Sequence, residues 1–430
     1  MKSQDTLFLE QDKELYKYLH VYLLLLIFEG VFRKWIRLSN QDIFYFLRDL
    51  LVVLVILKLV FSSRFKNSSD HNIRFGLNII FLFFSIYAFI AIAIQSIPAQ
   101  VVLFGFRNYT SIFMLVYLCS YIRDKSRIFD KIYKAFLLAL FFQLPIVVLQ
   151  VSSGPNSFVN KTGWEIGATV FTSGEVVRPP GTFTNALGLG YYLLIVFGLL
   201  LSAHLKGFTT QKSANLNSLA LFMLLIISAI SGSRTVLLGL SLTALLFVFV
   251  SIKRLFQNNG GIKHTGKSSR LLLLFMYTSL VFILYKLVPV INAFIFRLNY
   301  QTEGNSGTRS RVLNSIFGYQ YSDLTLIGTG MGTRHQSALA LGWIQPWVEN
   351  ETLRWSAELG LFGFTLIILR QIWILSLAAS VLIRNVEYRN LSPMIFISMG
   401  PFLVSGISTQ PTIQGMSAVM MLMLVFRNRI

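Results

Sequence analysis

The sequence predicts an all-α, polytopic transmembrane helical bundle of about twelve spans. Three observations carry that prediction. Of 430 residues, 54% are hydrophobic and 13% charged, with 38 phenylalanines, too little polar surface to keep a soluble core of this size dissolved. Apolar runs of about 20 residues recur from end to end, the length that crosses a bilayer core. The runs are continuous rather than alternating, which selects helices over a barrel.

The elements follow in order. The polar stretch "MKSQDTLFLEQDKELYKY" precedes a first span near 15–32, read as retained rather than cleaved. That span ends in "FEGVFRKWIRL", which holds Arg33, Lys34 and Arg37. The second, 44–61, opens with Arg48 and Asp49 and is followed by Arg64, Lys66 and Arg74. The third and fourth are 75–95 and 101–121, with Arg107 in "LFGFRNYTSI" and Arg123, Lys125 and Arg127 behind it. A fifth span, 132–151, leads into an outer loop, 152–183. Spans near 184–204 and 217–231 flank Lys206 and Lys212. The eighth, 235–252, precedes Lys253, Arg254, Lys263 and Lys267. The ninth, 271–289, is separated from the tenth, 356–381, by a large outer loop, 290–355. Arg384 and Arg389 precede the last two, 392–406 and 412–426, and Arg427 and Arg429 close the chain. Basic connections thus alternate, which places both termini in the cytoplasm and the two long loops outside. Without an internal repeat or a linker, residues 1–430 read as a single transmembrane domain.

The formal net charge of +20 reflects loop cations that set orientation and attract anionic lipid, rather than nucleic acid. The one cysteine, Cys119, lies in an apolar run, which excludes a disulfide or thiolate cluster within the chain. Nothing has the spacing of a metal site, and no cofactor is expected.

Several basic residues stand at the outer boundary, where a charge in a span costs a few kcal/mol. Local readings exist for some of them. Arg48 beside Asp49 is a structural ion pair; Arg33, Lys34 and Arg37 are headgroup anchors; Arg107 snorkels outward. Arg178, Arg234, Arg309 and Arg311 each sit beside glycine or serine, where backbone approaches a ligand closely. Guanidinium forks match phosphate oxygens, so this set suits an anionic ligand.

Four stretches in series resemble the O-antigen ligase and O-antigen polymerase family of bacterial polysaccharide glycosyltransferases. They are "RPPGTFTNALGLGYYL", "SGSRTVLLGL", "GTRSRVLNSIFGYQYSDLTLIGTGMGT" and "EN" with "ETLRWSAEL" and "GLFG". The resemblance covers residues 178–365 and implies a C-type glycosyltransferase-like bundle in the bacterial inner membrane. It implies transfer of a glycan from a polyprenyl (undecaprenyl) diphosphate carrier to a saccharide hydroxyl on the outer face. It assigns Arg178, Arg234, Arg309 and Arg311 to the diphosphate, with Arg234 and Arg309 also catalytic; beside these, Arg33, Lys34, Arg107, Asn185, His335 and Asn350 are candidate accessory residues. Glu349 stands where the family pattern has histidine, and a carboxylate also accepts a proton from a sugar hydroxyl. The nearest histidine, His335, does not fit the spacing. The expected partners are the lipid-linked glycan, the bilayer, and chain-length or export proteins.

The bland reading of "WVENETLRWSAELGLFGF" is that Glu351 and Glu358 cap a helix, that Arg354 is an interfacial anchor or the i+4 partner of Glu358, and that Gly360 and Gly363 allow close packing. Rival functional readings are a transporter of lipid-linked glycan, favoured by Arg370 within "TLIILRQIWIL", and an inactive relative of the glycosyltransferases.

Overall fold

In a computed structural model the described residues are 4–36, 42–61, 70–161, 172–173, 176–206, 211–231, parts of 233–247, 325–335, several positions between 338 and 348, 351–383 and 411–426. They are helical throughout, apart from connections and one two-residue antiparallel pairing, Thr172 with Val177 and Ser173 with Val176. The helices are α1 (Gln4–Trp35), α2 (Asp42–Phe61), α3 (His71–Ala93), α4 (Ala99–Cys119), α5 (Ser126–Ser152), α6 (Ala186–Lys206), α7 (Gln211–Ile230), α8 (Glu351–Ile383) and α9 (Pro411–Val425). Six of the described helical segments are long and apolar enough to cross a membrane: Glu10–Trp35, His71–Ala93, Ala99–Cys119, Ser126–Ser152, Ala186–His204 and Ser213–Ile230. The protein is therefore a multi-pass membrane protein. The expected spans at 271–289 and 392–406, and most of the loop 290–355, lie outside the described residues.

The outward faces of the helices support this assignment. On α3, Leu77, Phe84, Tyr87 and Ala91 are buried, whereas Phe75, Ile79, Leu82, Ile86 and Phe89 are exposed. Both faces are apolar. An exposed apolar stripe of this length is stable only against lipid.

The chain forms two compact units. The first comprises Met1–Ala135, Leu313–Ser380 and Pro401–Ile430; the second comprises Phe136–Val312 and Val381–Gly400. In the first unit α4 packs against α1, α2, α3 and α9, and α1 packs against α2 and α9. Side-chain bonds fix the direction of each helix. At one end the Asp12 carboxylate accepts the backbone N–H groups of Arg123 and Asp124 at 3.0 Å each, Lys58 pairs with Glu14, and Lys125 pairs with Asp70 and covers the Phe426 ring. At the other end stand Glu29, Arg48, Arg107 and Gln414. So α1 and α3 run one way, and α2, α4 and α9 run the other.

The helix α8 is not continuous. Gly360 has φ 62° and ψ −146°, a conformation open essentially to glycine alone. The break frees carbonyls that a helix would use, and each finds a partner. Ala357 O accepts Thr329 N–H at 2.8 Å, and Glu358 O accepts Gly330 N–H at 2.9 Å. Leu359 O accepts the Tyr87 hydroxyl at 2.9 Å, while Leu361 N–H donates to Thr325 O at 3.0 Å. Gly360 is thus a break that admits the 325–330 segment, not a packing glycine in a straight helix. A Cβ there would lie 2.6 Å from Gly328 N and 2.8 Å from the Leu326 carbonyl carbon. Gly360→Ala is expected to lose about 3 kcal/mol or more, read as a lower melting temperature of the purified protein. Unchanged melting would contradict the break.

In the second unit α6 packs on α7, and Tyr192 of α6 stacks on Phe136 at 5.5 Å while its hydroxyl donates to Phe136 O at 2.6 Å.

Candidate functional site

The broken helix and its inserted loop build one end of the first unit. The loop "GTGMGTRH", Gly328–His335, crosses α4 where Gly105 lets the backbones meet: a Cβ on Gly105 would sit 2.7 Å from Gly332 Cα. Gly332 has φ +86°, so neither side of the crossing tolerates a side chain. Glu358 locks the loop in place. It is 1% exposed, and its carboxylate accepts the Tyr109 hydroxyl at 2.6 Å, Gly332 N–H at 2.8 Å and Arg334 N–H at 2.9 Å. The buried Arg354, one turn earlier, places its positive charge near the same carboxylate. Around this clamp Phe84, Tyr87, Val101, Tyr109, Met331, Trp355 and Leu359 form a continuous core, with Tyr109 edge-on to Trp355 at 4.7 Å.

Two of the local sequence readings change here. Glu358 does not cap a helix; it lies inside the first arm of α8 and binds a loop through its side chain. Arg354 is not an interfacial anchor. It is buried, because the loop and α4 cover the arm that carries it.

Next to the clamp, α4 carries Arg107 into a buried ionic network. Arg107 Nε donates to Asp49 Oδ2 at 2.5 Å, and Arg48 Nε to Asp49 Oδ1 at 3.1 Å. Arg48 Nη1 reaches Glu29 Oε2 at 3.4 Å, and Arg33 Nη1 lies 3.5 Å from Glu29 Oε1. An amide relay continues it. Asn108 Oδ1 accepts Gln414 Nε2 at 3.1 Å and Arg107 Nη1 at 3.4 Å, and Ser111 Oγ reaches Gln414 Oε1 at 3.4 Å. The groups come from α1, α2, α4 and α9. Gly415 admits Arg48: a Cβ there would lie 2.6 Å from Arg48 Nη1. In a low-dielectric interior these charges persist because each carboxylate is shared between two cations.

The Arg48–Asp49 ion pair read from sequence is present, but it belongs to this larger network. Arg107 does not snorkel outward: it is buried against Asp49, with its guanidinium over Phe104 at 5.9 Å. Lys34 is likewise buried, over the Trp35 ring at 4.9 Å, and is no headgroup anchor. His335 is buried beside Phe104, ring centroids 6.3 Å apart, which brings it to the same end as Arg107.

Arg178 and Asn185 belong to the second unit. Two glutamines seven residues apart on α5 hold their turn. Gln150 Oε1 accepts Gly181 N–H at 2.8 Å and Gln150 Nε2 donates to Gly181 O at 3.1 Å. Gln143 Oε1 accepts Thr182 N–H at 3.0 Å and its amide pairs with the Thr182 hydroxyl. Asn185 Oδ1 accepts Gly188 N–H at 2.8 Å, the bond of an N-cap on α6. Arg178 is exposed.

The structure therefore brings Arg33, Arg107 and His335 to one end of the first unit and places Arg178 and Asn185 in the second. Arg234, Arg309, Arg311, Glu349 and Asn350 lie outside the described residues, as does Arg37. Among the described residues no group of histidine, cysteine and carboxylates is arranged to hold a metal. The sequence reading passed over Glu29, Tyr109 and Gln414, while Gly332 lies in the quoted "IGTGMGT" without a role of its own. Only Glu29 carried a local signal, its i+4 spacing to Arg33. No known family model matches the chain, and no curated protein matches it either.

Proposed function

We propose that the protein is a membrane glycosyltransferase of the O-antigen polymerase or ligase type. It takes a glycan from a polyprenyl diphosphate carrier and passes it to a saccharide hydroxyl at the outer face of the bacterial inner membrane. About twelve spans, cytoplasmic termini and an outward loop 290–355 belong to this proposal. The observation that carries it is the convergence at one end of the first unit of Arg33, Arg48 and Arg107 with the glycine loop that precedes residues 349 and 350. A cationic helix end beside a rigid, glycine-shaped backbone suits a diphosphate leaving group. On this reading Arg178, Arg234, Arg309 and Arg311 bind the diphosphate, Glu349 takes the proton from the acceptor hydroxyl, and chain-length or export proteins are partners.

The test is substitution in cells. Arg234→Ala or Arg309→Ala is expected to abolish polymer or ligated product, a loss of at least about 100-fold, while the protein still inserts. Full activity in both variants would remove the diphosphate assignment.

A transporter of lipid-linked glycan is the second reading, favoured by the broken α8 and by the buried Arg370, whose guanidinium lies 5.0 Å over Trp355. Discontinuous helices with buried charge are the binding elements of many transporters. Purified protein that forms product in detergent from donor and acceptor decides for the enzyme. Vesicles that move the donor without forming product decide for the transporter.

A further inference from the structure

We propose that the segment 325–333 is a membrane-embedded loop, with Leu326 and Ile327 set against the acyl chains of the bilayer leaflet nearest the α3–α4 turn. Depth is the first observation. The helices α3 (His71–Ala93) and α4 (Ala99–Cys119) are both long and apolar enough to span, and the short turn 94–98 joins them, so that turn marks one membrane boundary. Tyr87 stands six residues before the end of α3, about 9 Å below it at the rise of a helix. Its hydroxyl donates to Leu359 O, which puts the Gly360 break near that depth. Leu326 lies against the break: a Cβ on Gly360 would sit 2.8 Å from the Leu326 carbonyl carbon. Gly332 is level with Gly105, six residues into α4 and again about 9 Å below the turn. The turn itself reaches the segment through Gln95, whose Nε2 donates to Gly328 O at 3.0 Å.

Two further observations suit that depth. Hydrocarbon admits a non-helical backbone only where its polar groups are paired within the protein. Here Thr325 O accepts Leu361 N–H, while Thr329 N–H and Gly330 N–H donate to Ala357 O and Glu358 O. Gly328 N–H donates to the Thr325 hydroxyl at 2.8 Å. The outward side chains are apolar as well. The segment "TLIGTGMGT" contains no charged residue, and Leu326 is 65% exposed, comparable with the 70% of Phe89 on the lipid face of α3. Leu361 and Phe362, just past the break, are also exposed, and the Phe362 ring meets Tyr87 edge-on at 6.4 Å. The patch thus adjoins an apolar face that lipid already covers, which selects bilayer lipid over a second protein as its occupant. The inference does not depend on the glycosyl-transfer reading. It returns part of the outward loop 290–355 to the bilayer.

Nitroxide labels test it, on the full-length protein in phosphatidylcholine vesicles. Leu326→Cys and Ile327→Cys are compared with Phe89→Cys, on the lipid face of α3, and with Arg123→Cys, in an exposed connection. The wild type, whose one cysteine, Cys119, is buried, gives the background. Labels at 326 and 327 are expected to match the label at 89, with high relaxation by oxygen and low relaxation by a water-soluble nickel chelate. Nickel relaxation equal to that at 123 would put the segment in water and overturn the proposal. Low relaxation by both reagents would mean that protein covers the patch, and would overturn it too. A second variant needs no label. Leu326→Asp is expected to melt below Leu326→Met in the same vesicles, because a charge among acyl chains is costly. Equal melting of the two would contradict a lipid-facing Leu326.

Discussion

Glu358→Ala is expected to be the most destabilising single substitution in the first unit, by about 3–5 kcal/mol. The carboxylate is buried and accepts three hydrogen bonds, from the Tyr109 hydroxyl and from the backbones of Gly332 and Arg334. Alanine strands all three donors and leaves the buried Arg354 charge without its neighbouring carboxylate. It also opens a void against Tyr109 and Trp355, at a further cost in packing. The loss is read as a lower melting temperature in detergent, followed by tryptophan emission, since Trp355 packs edge-on to Tyr109. Tyr109→Phe removes only one bond to a charged acceptor and should cost less, about 1.5–3 kcal/mol. Should Glu358→Ala melt with the wild type, the glycine loop is held by something other than this carboxylate. On the proposed glycosyl-transfer reading, in which Glu349 acts on the acceptor, the substitution should also lower product formation.

Asp49→Ala is expected to come next, again at about 3–5 kcal/mol. Asp49 is the one described carboxylate joining Arg48 to Arg107. Removing it leaves two guanidinium groups close together and buried, with only Glu29 as counter-charge to Arg48. The physics gives a sharper comparison. Replacing a whole buried ionic group by apolar side chains of similar volume is often neutral or stabilising, whereas removing one partner is not. The combined variant Arg48→Met, Asp49→Leu, Arg107→Met should therefore melt above Asp49→Ala, although it carries more changes. If the combined variant is also inactive, the network is present for function rather than for stability. If it melts below Asp49→Ala, the three residues do not act as one electrostatic unit.

The two clamps differ in how visible they are before folding. The Arg48–Asp49 contact joins neighbours in sequence, and Glu29 with Arg33 has helical spacing. The bond from Arg48 to Glu29 spans 19 positions, Arg107 to Asp49 spans 58, Tyr109 to Glu358 spans 249, and Gln414 to Asn108 spans 306. Nothing local distinguishes Arg107 paired with a distant aspartate from Arg107 reaching for headgroups. The snorkelling reading failed there for that reason. The capping reading of Glu358 failed similarly: an acid near the start of a helix is favoured by the dipole, and only the inserted loop shows that its partners are N–H groups from another segment. The helix break was partly visible, in the glycines at 360 and 363, but a glycine alone does not state its φ.

By itself the sequence determined that this chain is helical and crosses a membrane several times, because span length and apolarity are properties of contiguous residues and a bilayer accepts few alternatives. The tertiary structure alone decided which buried charges share a carboxylate and which glycine breaks a helix. Those depend on pairings between helices far apart in the chain, where a charge inside a membrane is stable only beside the partner that folding delivers.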